Sequence, residues 1–311
     1  MKQTFTAEYV SPKHPDKMCD RISDAILEIF INQDSNSRVA VETLGGHGKV
    51  FIVGEVTSTG TITQSEYESI IANITDVDTY DVLVHIAQQS PEIAQGVNTG
   101  GAGDQGIVIG YACNHNNEMI PQEFYLAKSL CEFLFKKYPY DGKTQVTIND
   151  NHKVTVIVTS FQNSKSAELQ NDVDTWVKEN NITLSDNIKY LLNPAGEWNI
   201  GGFEADTGLT GRKIVIDSYG PRVPIGGGAF SGKDWTKVDR SGAKYAQYIA
   251  QQLLKKNNAS EVRVELAFAI GVADAVQSIA YVDSMPTSID EFDTSMTGIN
   301  NYIQSTKEKN V

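Results

Sequence analysis

The sequence predicts an α+β fold made of three similar units, each an antiparallel sheet covered by helices. Three observations carry this reading. Short alternating strands come as hairpin pairs, amphipathic helices separate them, and the order strand–helix–hairpin–helix recurs three times along 311 residues. The units are expected at 1–98, 99–200 and 201–311, with segments exchanged between them.

In the first unit, Ile22, Ala25, Ile26, Ile29 and Phe30 recur at helical spacing behind Pro15, a residue suited to a first turn. Two strands follow at 38–44 and 49–57, joined by Gly45-Gly46-His47-Gly48. Tyr67, Ile70, Ile71 and Ile74 stripe a second helix. In the middle unit, GIVIGYA (106–112) reads as a strand, and Phe124, Ala127, Leu130, Cys131 and Leu134 as a helix face. A hairpin turns at Asn149-Asp150-Asn151, and Leu169, Val173, Trp176 and Val177 mark the next helix. The last unit opens on RKIVIDS (212–218), read as a strand because of its β-branched run. A helix through Ala243, Ala246, Ala250 and Leu253, the strands EVRVELAFAI and VQSIAYVD, and a helix after Ser288 complete it.

A net charge of −13 argues against a general nucleic-acid or anionic-membrane binder. Cys19, Cys113 and Cys131 are few and lie far apart, the pattern of reduced thiols rather than of a disulfide framework or a zinc site. The opening MKQTFTAEYV carries no apolar leader, and no apolar run reaches membrane-spanning length. A cytoplasmic protein is expected.

Gly227 to Lys233 spells G-x-x-x-x-G-K, the letters of a phosphate-binding P-loop. Asp234 replaces the required Ser or Thr, however, and SYGPRVPI separates the preceding run from the glycines. A different phosphate site fits better. Arg212, Lys213, Lys233 and Lys237 gather cations around three consecutive glycines, and Asp239 places a carboxylate among them, as a Mg²⁺ ligand would. His14, Asp16 and Lys17 crowd a helix start, where free backbone N–H groups favour anions. Asp16 there is also ordinary helix capping chemistry. Glu42 and Glu55 interrupt apolar strands, either as solvent-facing carboxylates or as ligands for a cation or amino group. Asp104 lies between glycines in GAGDQG.

HPDK at 14–17, GAGDQG at 101–106, GLTGRK at 208–213 and GGGAFSGKD at 226–234 together resemble the S-adenosylmethionine synthetase (methionine adenosyltransferase) family, from Phe5 to about Asp274. The resemblance implies three α+β domains related by pseudo-threefold symmetry. It implies ATP and L-methionine as substrates, joined by attack of sulfur on C5′, with the triphosphate then cleaved to phosphate and pyrophosphate. It also implies two Mg²⁺ ions per site, K⁺, and a homodimer with active sites between subunits, in some members paired again. A thioether sulfur has no proton to lose, so attack needs no general base; charge stabilisation of the leaving triphosphate is the larger demand.

Carried onto this chain, the resemblance places His14 near the bridging oxygen at C5′, and Lys143, Arg212, Lys213 and Lys233 around the phosphates. ATP would also meet Asp104, Asp141, Trp198, Asp206, Ala229 and Ile270, with Trp198 stacked on adenine. Methionine would meet Glu55, Gln95, Asp206 and Lys237. Asp16 and Asp239 would hold Mg²⁺, and Glu42 K⁺. The chain departs from the family pattern at Lys13, Glu197, Trp198 and Ile225, in the short VNTG before GAGDQG, and in lacking the usual C-terminal extension. Two alternatives stay open: a regulatory homologue without turnover, and an enzyme acting mainly on triphosphate.

Overall fold

The computed structural model describes residues 3–88 and 100–307. Strand β1 (Thr4–Val10) leads into helix α1 (Pro15–Gln33), then the hairpin of β2 (Arg38–Gly46) and β3 (Lys49–Thr57). Helix α2 (Gln64–Thr75) and strand β4 (Asp81–Ala87) follow. The order recurs with β5 (Gly106–Cys113), α3 (Gln122–Lys137), β6 (Gly142–Asn149), β7 (Val154–Phe161), α4 (Ser166–Glu179) and β8 (Leu184–Leu192). The last third has β9 (Gly208–Leu209), the one-turn α5 (Ile214–Asp217) and the long α6 (Val238–Asn257). Strands β10 (Glu261–Phe268), β11 (Gln277–Val282) and β12 (Met285–Thr287) and helix α7 (Met296–Lys307) end it.

Among the described residues the strands form three four-stranded sheets, ordered β4-β3-β2-β9, β1-β6-β7-β8 and β12-β11-β10-β5. Each third of the chain therefore sends its first strand into another third's sheet, and the three exchanges close a ring. Hairpin partners and exchanged strands pair antiparallel. Strands β4 and β8 instead run parallel to β3 and β7, because each returns to its sheet across a helix. An all-antiparallel sheet was expected, and these two strands are the exception.

Each sheet buries one face under its helices. Ile22, Ile26 and Phe30 of α1 and Ile71 of α2 meet Val39, Val41, Val50 and Ile52. Leu130, Leu134 and Trp176 cover Val146 and Ile157 of the second sheet. In the third, Ala246, Ile249 and Leu253 of α6 lie on Val108, Val262 and Val264. The opposite face of the first sheet leaves Leu44, Val53 and Leu83 between 40% and 51% exposed.

The segment 212–218 is not the strand its composition suggests. It forms a turn and the single helical turn α5, with Ile216 its one buried side chain. Side-chain ties override β-propensity here: Asp16 takes Lys213, and Lys17 takes Asp217. The strand role passes to Gly208 and Leu209, which pair with Gly45 and Leu44.

His115, just after β5, meets His152 of the β6–β7 turn edge-on, with ring centroids 4.9 Å apart. Its Nδ1 is buried and has no hydrogen-bond partner among the described residues. Burial, and then the His152 charge, hold its pKa below the ordinary 6.5. The unfolded chain thus binds a proton at higher pH than the native one. The neutral ring's contribution to stability is complete above about 6.5 and is lost as pH falls below it. In urea midpoints taken from pH 7 down to about 5, His115→Gln should lose less stability than the native chain. Parallel pH curves for the two would contradict this.

Candidate active site

The site grows from the start of α1. His14 is the helix N-cap, and its Nδ1 accepts the Asp16 N–H at 3.2 Å. That nitrogen therefore carries no proton, which leaves the ring proton on Nε2. Burial first, then the Lys143 and Lys213 charges, lower the His14 pKa to about 4 against the pull of Asp16 and Asp206. Neutral His14 thus stands amid Lys143, Lys213, Asp16 and Asp206.

Asp16 is fully buried. Its carboxylate accepts the Leu209 N–H at 3.0 Å and pairs with Lys213 at 2.5 Å and Arg212 at 3.0 Å. Burial pushes its pKa up, but these hydrogen bonds and charges outweigh burial and hold it below the usual range. Nearby, Asp141 takes the Gly202 N–H at 3.0 Å, and burial raises its pKa despite that bond. A Cβ on Gly201 would lie 2.8 Å from the Trp198 ring and 2.9 Å from Asp141 Cβ, so these side chains flank one backbone turn.

A second group forms around the glycine loop. Asp239, in the first turn of α6, pairs with Lys233 at 2.7 Å and accepts the Gly228 N–H at 2.8 Å. A Cβ on Gly228 would sit 2.8 Å from Asp239 Oδ2 and 3.1 Å from Lys233 Nζ, so glycine is what permits this approach. Asp104, Gly226, Gly227, Gly228, Asp239 and Ala269 line an open cleft of about 880 Å³. Ile270 bridges Ala102 at its side and is about half exposed. Ala229 reaches back toward the first group, where a Cβ on Gly211 would lie 2.5 Å from its own.

One strand edge organises both groups. At one end of β2, Leu44 and Gly45 pair with β9. At the other, Val41 donates to Gly232 at 3.1 Å, Ala40 bridges Lys233, and the Val39 N–H goes to Asp234 at 2.7 Å. The two ends are roughly 15 Å apart along the strand. Crowding by the protein raises the Glu42 pKa, with Lys233 opposing and Glu55 reinforcing the rise. Lys237 is held by Asp234 at 2.5 Å.

His14, Asp16, Lys143, Asp206, Arg212 and Lys213 are thus brought together, with Asp141 and Trp198 beside them. Glu42, Glu55, Lys233, Lys237 and Asp239 gather at the other end. Among the described residues Asp16 and Asp239 share no hydrogen-bond or ion-pair partner. The four methionine positions do not form one group: Asp206 is with His14, Glu55 and Lys237 lie by β2, and Gln95 is outside the described residues. Among the described residues no three His, Cys, Asp or Glu side chains converge on a common metal position.

Sequence reading passed over a ladder of aspartates on α1. Asp16, Asp20 and Asp24 recur every four residues on one helix face. They accept the backbone N–H groups of Leu209, Gly211 and Gly232 at 3.0, 2.8 and 3.1 Å. Lys17 braces it, bonding Asp20 at 2.9 Å and Asp217 at 2.5 Å. The i, i+4, i+8 spacing was the available signal.

The descriptions of the S-adenosylmethionine synthetase N-terminal, central and C-terminal domains match residues 2–91, 99–198 and 200–309. An S-adenosylmethionine synthase of Prochlorococcus marinus (strain MIT 9301) is 36% identical, over 98% of this chain and 84% of its own. One from Helicobacter hepaticus is 41% identical, over 91% of this chain and 81% of its own. An unusual S-adenosylmethionine synthetase from Campylobacter jejuni superposes with a TM-score of 0.83 at 31% identity, covering 96% of this chain and 88% of that one.

Three helix-covered sheets with exchanged strands, and a glycine loop flanked by paired cations and carboxylates, define an ATP-binding transferase. The chain belongs to the S-adenosylmethionine synthetase family, and it is an enzyme of that family. The family uses metal ions. Among the described residues no helix is long and apolar enough to cross a membrane.

Proposed function

We propose that the chain joins ATP and L-methionine into S-adenosylmethionine and then cleaves the released triphosphate to phosphate and pyrophosphate, in the cytoplasm. The observation that carries this is the meeting of neutral His14 with Lys143, Arg212, Lys213 and Asp16 where α1 starts beside β9. With Nδ1 already accepting a bond, His14 offers Nε2–H to the bridging oxygen as the C5′–O bond breaks. No residue need remove a proton from the sulfur. Lys143, Arg212, Lys213 and Lys233 take up charge on the departing triphosphate, and Ala229 and the glycines let the backbone approach it. Domain limits of 1–98, 99–200 and 201–311 go with this reading.

The carboxylates fit Mg²⁺. It binds through one or two carboxylates plus substrate phosphates and water rather than in an all-protein cage. Asp16 and Asp239 each offer a single carboxylate, and Gly228 leaves open the space against Asp239 that a Cβ would fill. In this reading they hold the two Mg²⁺ ions, which neutralise phosphate charge, and Glu42 serves K⁺. Asp104, Asp141, Asp206, Trp198 and Ile270 contact the nucleoside, with Trp198 against adenine. Glu55, Gln95, Asp206 and Lys237 hold methionine.

A homodimer goes with this assignment, and dimers that pair again are its extension. The bare apolar face of the first sheet, Leu44, Val53 and Leu83, adjoins Glu42 and Glu55. In this reading a second copy covers it, and the glycine-loop group of one chain works with the His14 group of the other. Leu83→Glu should then give monomers with little activity in sedimentation velocity and turnover assays; an active monomer would refute the interface.

Incubation with ATP, methionine, Mg²⁺ and K⁺ tests the reaction directly. The sulfonium product is expected. Nucleotide binding without product would favour a regulatory homologue, and triphosphate cleavage without product a triphosphatase. Trp198→Ala should raise the KM for ATP about tenfold, the effect of losing one base–aromatic stack. An unchanged KM would place adenine elsewhere.

A further inference from the structure

Next to the cleft, with Ile109 lining both, a cavity of about 270 Å³ opens between α6, the end of α5 and the far flank of the glycine loop. We propose that it is a regulatory site for a small aromatic carboxylate. Its size is just below the usual range of ligand pockets, roughly 300–1,000 Å³, which restricts it to a small ligand. Tyr219, Phe230 and Trp235 supply flat apolar walls, which suit a ring. Its charged lining is Arg240, Lys244 and Asp217.

The balance of these three charges selects an anion. Asp217 is already matched by Lys17 at 2.5 Å. Lys244 is exposed, makes one long hydrogen bond, to Gln247 at 3.3 Å, and has no carboxylate partner among the described residues. The Arg240 guanidinium stacks over Trp235 at 4.7 Å and forms an ion pair with the half-buried Asp24 at 3.3 Å. Lys244 thus has no carboxylate partner among the described residues, and Arg240 shares Asp24 with the Gly232 N–H, so the two cations leave positive charge beside an aromatic wall in a chain of net charge −13. They attract a carboxylate whose ring lies on the Trp235 side.

The site touches the phosphate loop from behind. Phe230 and Trp235 bracket Lys233, and Arg240 donates to the Lys233 carbonyl at 2.9 Å. A carboxylate that takes Arg240 for itself removes that bond and loosens Lys233. Occupancy therefore weakens ATP binding, a consequence that rests on the proposed role of Lys233.

Indole-3-carboxylate is the probe, followed by calorimetry and saturation-transfer NMR on the full chain. Binding with a Kd of about 1 mM or tighter is expected. Lys244→Gln, on the surface, should weaken it at least about fivefold, and Ala243→Leu, which fills the cavity, should abolish it. Uncharged indole should bind less well. No binding at about 5 mM, or equal binding by Lys244→Gln and the native chain, overturns the site. These readings need no turnover, so they stand apart from the assay of the proposed reaction. In an active enzyme the probe should raise the KM for ATP, and Ala243→Leu should remove the effect. A KM indifferent to the bound probe overturns the coupling to Lys233.

Discussion

Asp16→Asn should lower kcat by about a thousandfold, or ~4 kcal/mol of transition-state stabilisation. The substitution keeps the shape and the bond from the Leu209 N–H but deletes a buried charge with two cationic partners. Lys213 and Arg212 are then left under-neutralised, and breaking a buried pair from one side is costly. The proposed Mg²⁺ position loses its carboxylate as well. Asp20→Asn provides the contrast: it weakens the hold on Gly211 and Lys17 without touching the phosphate positions, and should cost about tenfold. Turnover within tenfold of the native chain for Asp16→Asn, with an unchanged urea midpoint, would remove Asp16 from the catalytic machinery.

Those two aspartates also show how far the sequence could be read. Asp16 stood out through its company, His14 and Lys17 at a helix start. Asp20 did not, because one more carboxylate on an amphipathic helix resembles any solvated face. Its meaning depends on which backbone lies opposite, and that backbone comes from 191 residues away. The failed strand at 212–218 has the same cause: its β-branched residues give a local preference, and long-range ties to Asp16 and Lys17 decide otherwise. The hairpins and helices were legible because their patterns are local. The ring of exchanged strands was not legible in its pairings, since alternation tells which face a strand buries and not which sheet receives it. Lys237 illustrates the remaining limit. Cation spacing marked it as part of a charged site, yet only the fold shows Asp234 holding it at 2.5 Å while also holding Val39.

Gly110→Ala should destabilise the chain by about 3 kcal/mol or more, although it adds one methyl group. Gly110 lies in β5, the strand lent to the third sheet, directly under α6. A Cβ there would fall 2.1 Å from the Ala246 carbonyl carbon and oxygen. Those are backbone atoms and cannot turn aside as a side chain would, so the helix must move off the strand. Helix α6 carries Asp239 in its first turn, so the displacement would reach the glycine loop through the Asp239 bonds to Gly228 and Lys233. Stability and turnover should therefore fall together. Gly106→Ala, four residues earlier on the same strand, is the control. Its nearest atom would be 3.7 Å away, an ordinary contact, and its stability should stay within about 0.5 kcal/mol of the native chain. Equal urea midpoints for the two variants would mean that the α6–β5 contact yields, and that the close approach at Gly110 is not what fixes the helix in place.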